Sequence, residues 1–220
     1  MIVPVLDEAA AIVPFLARLE ACVGPDDEVI VVDGGSRDGT PELAAQFDVR
    51  VHNAPRGRAV QMNAGAAAAR GKWLLFLHAD SDVQATALHA VRAAGHDWGY
   101  FRVRLDDRRA ALRLIELGIN LRSRAWDTPS GDQGIFVRRR VFEELGGYPA
   151  VPLLEDLALG DALRRVGAAE RASATIGTSA RRWRSHGVLR TTLRMWAIRL
   201  AYRAGVRPAR LEGLYRRRPR

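Results

Sequence analysis

The chain has one cysteine, Cys22, and one lysine, Lys72, in 220 residues. A single thiol excludes an internal disulfide framework and suits a reducing compartment. Cys22 stands near the end of a helical pattern, where a core or surface thiol is expected and a nucleophile is not. No apolar run reaches the roughly 18 residues of a membrane-spanning helix. No leader-like stretch precedes the first strand. The expectation is a cytoplasmic protein, held at most to the inner face of the cell membrane as a peripheral partner. Acids are missing from one region only. Residues 181–220 carry 13 Arg against one acid, Glu212, a net of +12, whereas residues 1–180 hold 21 basic and 24 acidic groups, a net of −3. The basic character belongs to the tail, not to the whole fold.

What is present is an alternation. Apolar runs of strand length (Ile2 to Leu6, Glu28 to Asp33, Val49 to His52, Trp73 to Leu77) alternate with helical patterns (Ala9 to Cys22, Thr40 to Phe47, Ala59 to Ala69, Asp82 to Ala94). Short connections between them favour a mostly parallel sheet flanked by helices, a Rossmann-like α/β fold. Thr40 followed by Pro41 reads as an N-cap and first-turn proline. Beyond residue 97 the pattern turns mixed. Trp98 to Leu105 alternates, with Tyr100, Arg102 and Arg104 on the expected wet face. Ala110 to Arg122, Arg139 to Leu145 and Leu153 to Val166 read as helices, and Gly134 to Val137 and Ala172 to Thr178 as strands. Residues 1–180 are expected to form one domain and 181–220 an Arg-rich helical tail.

Acidic or glycine-rich groups close three successive strands: Asp7-Glu8, Asp33-Gly34-Gly35-Ser36 and His78-Ala79-Asp80. In open α/β sheets that edge is where ligands bind. Asp80 and Asp82 are close enough in sequence to share a divalent cation, and Mg²⁺ favours carboxylates together with substrate phosphates. A nucleotide there needs an acceptor for ribose or base donors, close backbone approach at glycine, and arginines for its diphosphate. Asp33, Gly35, Arg56 and Arg58 meet those needs in type, although Asp33 could equally serve only to cap its turn. Glu155-Asp156, at a predicted helix start, either offsets the helix dipole or supplies a proton acceptor.

Val31-Val32-Asp33-Gly34-Gly35-Ser36-Arg37-Asp38-Gly39-Thr40 resembles the Asp-Gly-Ser-x-Asp-Gly-Thr signature of the family two glycosyltransferases, which have the GT-A fold. The likeness extends through Pro4 to Glu8, Asn63-Ala64-Gly65, His78 to Asp80 and Glu155-Asp156, over roughly residues 1–180. Arg56 to Asn63 and Leu77 to Asp80 resemble a bacterial subgroup associated with radical-SAM and selenium-related genes. The resemblance implies inverting transfer of a sugar from a UDP- or GDP-sugar to a hydroxyl acceptor, with Mg²⁺ or Mn²⁺ as cofactor. By position, Pro4, Leu6, Glu8 and Asp33 would hold base and ribose, with Asn63 and His78 beside the donor. Asp80 would ligate the metal with Asp82 or His78 as helper, Asp156 would be the general base, and Glu155 would support it. Asp132 and Gln133 would meet the acceptor or donor sugar, as would Arg182 and Trp183. Two departures stand out: His78 replaces the first acid of the usual Asp-x-Asp, and Asp7 stands where Asn is usual.

A sugar nucleotidyltransferase would need a basic glycine-rich loop after the first strand, where this chain has Asp7 to Ala11. A nucleic-acid-binding protein would explain the tail but not three acid clusters that repel phosphate, so no specific nucleic-acid partner is expected. A family member that binds the donor without turning it over remains a third reading. At about 100° per residue, the tail helix, about Val188 to Ala204, carries two apolar stripes. Leu189, Leu193, Trp196 and Leu200 form one; Met195, Ile198 and Tyr202 form the other. Arginines lie between the stripes. A docked helix needs only one. The second is expected to meet a membrane surface, another copy of the chain, or residues 211–215 folding back.

Overall fold

Ile2–Val5 (β1) and Ile30–Asp33 (β2) are buried almost throughout and pair in parallel, with Arg50–Asn53 (β3) on the far side of β2. The structure, a computed structural model, describes residues 1–216 and the side chains of residues 1–213. The other strands are Trp73–Leu75 (β4), Trp98–Leu105 (β5), Phe136–Arg138 (β6) and Glu170–Thr178 (β7), paired in the order β4-β6-β5-β7. A parallel bridge from Ile2 to Phe76 joins the two sheets edge to edge. Only β6 runs against its neighbours. The sheet is therefore mixed and mostly parallel, as the alternating pattern predicts.

Helices cover both faces: Ala9–Glu20 (α1), Thr40–Ala44 (α2), Arg58–Ala68 (α3), Ala85–Arg92 (α4), Ala110–Trp126 (α5), Arg139–Glu144 (α6) and Glu155–Val166 (α7). Successive strand side chains point to opposite faces. Val3 and Val31 accordingly pack with Ile12, Phe15 and Leu16 of α1, while Ile2 and Val32 pack with Met62 of α3 and Leu159 of α7. Each fully buried side chain of this size contributes about 1.5–3 kcal/mol. Two residues of α3 set its approach to the sheet. A Cβ on Gly65 would lie 2.5 Å from Ile2 Cγ2 and 2.9 Å from Val32 Cγ2. Gln61, also buried, donates from Nε2 to the carbonyls of Val5 and Val32, both at 2.8 Å, and so pins the ends of β1 and β2 together.

Several expectations are corrected. Thr40 does not cap α2: Asp38 accepts from the Thr40 amide at 3.1 Å, and Thr40 Oγ1 instead accepts from the Glu8 amide at 2.9 Å. Tyr100 is not on a wet face. It is buried, and its hydroxyl donates to Ser123 O at 2.7 Å and to Asp127 Oδ1 at 2.9 Å. Asp82 does not start a helix, because its backbone exchanges hydrogen bonds with Gly177 at 2.8 and 2.9 Å. The tail is three helices within the described residues, not one: Arg181–His186 (α8), Val188–Arg203 (α9) and Pro208–Arg216 (α10). Ile198 of α9 and Leu211 of α10 are buried. On the opposite side of α9, Leu189 and Leu193 are 71% and 60% exposed. Among the described residues no helix is long and apolar enough to cross a membrane.

Candidate functional site

One cavity of about 470 Å³ opens where the strands β1 and β4 end. The loop after β1 brings Glu8 to it, and the loop after β4 brings His78 and Asp80. A tight turn explains the second placement. Ser81 N donates to His78 O at 3.0 Å, and the His78 amide donates to Ser81 Oγ at 3.0 Å. That turn leaves Asp80 facing the cavity and sends the chain on to Gly177. Pro4, Arg56 and Arg58 line the same space, and so do Asp132, Glu155, Asp156, Arg182 and Trp183. Asp80 and Asp156 thus share one cavity.

Glu155 and Asp156 are aimed by strained backbone. Leu154, just before α7, has φ +65°, a left-handed conformation that costs a non-glycine residue about 1–2 kcal/mol. Asp156 Oδ2 accepts from the Gly131 amide at 2.9 Å, and its Oδ1 is buried with no partner. A Cβ on Gly131 would lie 2.6 Å from Asp156 Oδ2 and 2.9 Å from the His78 ring. Glycine there lets the loop press against both side chains. Glu155 is buried and pairs with Arg58 Nη1 at 3.4 Å. Burial first, then the neighbouring Asp156, pushes its carboxyl up, with Arg58 opposing.

His78 stands beside Asp132, Nδ1 to Oδ1 3.4 Å. Burial alone would raise the Asp132 carboxyl. The hydrogen bond and charge of His78, followed by Arg58 and Arg182, outweigh it and hold the group at about 2. Asp80 goes the other way. Burial lifts it, His78 and Arg181 pull it down, and the negative charge of Asp132 adds to the lift. Glu8 is likewise raised, by burial first, with Arg181 opposing at 3.9 Å and Asp80 adding to the rise. Desolvated carboxylates that repel one another suit a site where a cation would bind. Among the described residues, no group of three His, Cys, Asp or Glu side chains could hold a metal by itself. A donor set this small fits Mg²⁺ or Mn²⁺ shared with substrate phosphates, since Mg²⁺ commonly takes only one or two protein carboxylates.

Other predicted site residues are turned elsewhere. Asp82 pairs with Arg18 at 3.3 Å and lies outside the cavity, so it does not face Asp80. Gln133 is buried and donates to Phe101 O at 3.1 Å while accepting from Ser123 Oγ at 2.6 Å, which ties β5 to α5 and leaves nothing for a sugar. Asn63 is bonded to the backbone of Tyr148 at 2.9 and 2.8 Å. Asp33 accepts from the amides of Gly35 and Ser36 at 2.8 and 2.9 Å, which is the turn-capping alternative. Leu6 and Gly35 also lie outside the cavity. Sequence reasoning missed one wall. Arg181 of α8, Met195, Ile198 and Arg199 of α9 and Glu212 of α10 all face inward. The signals in the sequence were the second apolar stripe of the tail helix, the option of residues 211–215 folding back on it, and the expected site residues Arg182 and Trp183 next to Arg181.

The sequence model of the family described as Glycosyl transferase family 2 matches residues 1–98. No curated protein matches the sequence. Solved structures do. A mannosyltransferase from Pyrobaculum calidifontis, in complex with GDP-Man and Mn²⁺, is 24% identical with a TM-score of 0.65, over 91% of this chain and 59% of its own. TarS 1-349 of S. aureus, in complex with UDP, is 18% identical with a TM-score of 0.63, over 81% and 57%. Glucosyl-3-phosphoglycerate synthase of Mycobacterium tuberculosis, with Mn²⁺, UDP and glucosyl-3-phosphoglycerate, is 22% identical with a TM-score of 0.58, over 80% and 69%. The chain thus spans less than two thirds of the first of these relatives. It has the GT-A fold of these glycosyltransferases, and its first 98 residues carry the glycosyl transferase family 2 pattern.

Proposed function

We propose that the protein is an inverting, metal-dependent glycosyltransferase that moves a sugar from a UDP- or GDP-sugar to an acceptor hydroxyl. The observation that carries this reading is the free Oδ1 of Asp156, buried without a partner in the cavity that Asp80 also lines. Gly131 fixes the other oxygen, so the free one is held in a single direction. It accepts the proton of the acceptor hydroxyl as that oxygen attacks the anomeric carbon. The bond from the anomeric carbon to the diphosphate breaks with its electron pair, and the nucleoside diphosphate leaves. Asp80, with His78 beside it, would hold Mg²⁺ or Mn²⁺, which when bound neutralises charge developing on the diphosphate. Arg56, Arg58, Arg181 and Arg182 bring further positive charge to the same cavity. Glu155 and the α7 start keep Asp156 oriented. The segments Arg56 to Asn63 and Leu77 to Asp80 favour the bacterial subgroup associated with radical-SAM and selenium-related genes. The exposed face of α9 favours attachment to a membrane surface.

The test is a thermal-shift panel of UDP- and GDP-sugars with and without Mn²⁺, because a ligand that binds the native state alone raises apparent stability. One nucleotide sugar is expected to stabilise the chain only with the metal. Asp156→Asn should keep that shift and lose transfer by about 10²–10⁴-fold, the range of general-base contributions. A variant as active as wild type would remove Asp156 from the mechanism.

A further inference from the structure

Three polar side chains of α3 reach three different parts of the molecule. Gln61 bonds to the carbonyls of Val5 and Val32, at the ends of β1 and β2. Asn63 reaches Tyr148, and Arg58 reaches Glu155. Those last two partners bracket residues 149–154, the stretch that leads into α7 and Asp156.

That stretch has little to hold it by itself. It forms no strand or helix, and none of its residues is buried. Pro149 and Pro152 bring no N–H to bond. A backbone bond inside it runs from Val151 N to Pro149 O at 2.8 Å. Yet Leu154, at its end, is kept at φ +65°. Such a conformation persists at a non-glycine residue only where the surroundings fix it.

The fixing contacts come from α3 at both ends. Asn63 Oδ1 accepts from the Tyr148 amide at 2.8 Å while its Nδ2 donates to Tyr148 O at 2.9 Å. Two such bonds fix direction as well as distance. Gly147 is shaped to the same contact: its φ is +80°, and a Cβ there would lie 2.6 Å from Asn63 Oδ1. The Tyr148 ring is buried, edge-on to Phe76 with 4.9 Å between centroids. Its hydroxyl feels both acids of α7. Burial first, then the charges of Asp156 and Glu155, pushes that hydroxyl up, with Arg58 opposing. At the other end Arg58 Nη1 meets Glu155 Oε1 at 3.4 Å, where the Glu155 side chain is 7% exposed. A carboxylate so buried is costly unless it is paired.

We propose that Asn63 and Arg58 are positioning residues: from one helix they hold both ends of the loop that carries Asp156, and so set the direction of its free oxygen. The resemblance implied a place beside the donor for Asn63; its contacts put it behind the base. This role rests on the transferase reading, in which Asp156 is the base.

The experiment is a double-mutant cycle on the full chain. UDP-glucose and GDP-mannose are the donors, water is the acceptor, and release of UDP or GDP is followed with Mn²⁺ present. Asn63→Ala should lower kcat at least about tenfold, because a displaced base loses rate steeply with distance. KM and the calorimetric affinity for UDP or GDP should stay within about twofold of wild type, since Asn63 lies outside the cavity. Arg58→Met should lower kcat as well. Its side chain is 46% exposed, so this variant stays folded where Asn63→Ala melts too low. On the Asp156→Asn background neither change should cost more than about twofold further, because the displaced residue no longer takes a proton. Equal losses on both backgrounds overturn the proposal, and so does a loss of nucleotide affinity in Asn63→Ala with kcat unchanged. Hydrogen exchange needs no turnover. Amides of residues 149–156 should exchange at least about tenfold faster in Asn63→Ala while those of β1 and β2 keep wild-type rates; unchanged exchange in the loop overturns the role too. The parent reading fails separately. Asp156→Asn as active as wild type sinks the transferase mechanism, whereas an impaired Asp156→Asn beside a wild-type kcat in Asn63→Ala sinks only the positioning role.

Discussion

At Gly131 a methyl group would sit 2.6 Å from the Asp156 carboxylate and 2.9 Å from the His78 ring. Its φ is not in the left-handed region, so alanine meets no backbone penalty and its effect is steric. To make room, either Asp156 or His78 must move by several tenths of an ångström. Misplacing a reacting group by about 1 Å can cost 10²-fold in rate. Gly131→Ala is therefore expected to lower kcat by roughly one to two orders of magnitude while the nucleotide-induced thermal shift stays near wild type, the Cβ being aimed at Asp156, the proposed base, and not at Arg56 or Glu8. Steady-state kinetics beside the melting panel checks this, and an unchanged kcat would mean that the contact with Asp156 is slack. The same close approach shows how far residues could be read from sequence alone. This loop was expected to meet a sugar through Asp132 and Gln133; the neighbour that its Gly131 admits is Asp156, from 25 positions further along the chain.

Where α3 crosses the sheet, Gly65 is the contact point. Alanine would improve helix propensity by about 1 kcal/mol, yet its Cβ would meet Ile2 Cγ2 at 2.5 Å and Val32 Cγ2 at 2.9 Å. Overpacking of this kind costs about 1–3 kcal/mol, so Gly65→Ala should destabilise by up to about 2 kcal/mol net, read as a lower denaturation midpoint. A more stable variant would mean α3 can lift freely, and Arg58 at its start would then be loosely held. Elements of this sort were legible because a buried strand announces itself: Ile30 to Val32 is apolar on both faces, and the acid after it marks the end. Side-chain direction was not. Asp132 and Gln133 are adjacent in a single 3₁₀ turn, Gly131–Gln133, yet one lines the cavity and the other bonds to Phe101 and Ser123. Asp80 and Asp82 part company because Gly177 and Arg18, remote in sequence, capture the second. The inward wall from α8 to α10 was hidden for a similar reason. Its residues read as a basic tail until Trp183 and Ala180 are seen packing with Leu105 and Leu112.

Along the sequence, positive charge is concentrated in the last forty residues, and the exposed apolar stripe of α9 lies there with it. Residues 181–220 hold a net +12 while residues 1–180 hold −3, and the exposed leucines of α9 lie within the basic part. Basic groups near an anionic leaflet contribute about 1 kcal/mol each and are screened beyond a Debye length, about 10 Å at 0.1 M salt. Apolar burial contributes about 25 cal/mol per Å² and does not weaken with added salt. The two contributions can therefore be separated by ionic strength. The full chain should sediment with vesicles rich in phosphatidylglycerol at low salt and lose part of that binding, but not all, in high salt. Leu189→Glu combined with Leu193→Glu should abolish the salt-resistant part and weaken the rest. Because both leucines are exposed, the paired change should leave thermal stability within about 0.5 kcal/mol per site. Binding that vanishes completely in high salt, with the leucine variant behaving as wild type, would make the tail an electrostatic tether alone. Binding equal on phosphatidylcholine vesicles would remove the arginines from the argument and leave the leucine face to act by itself.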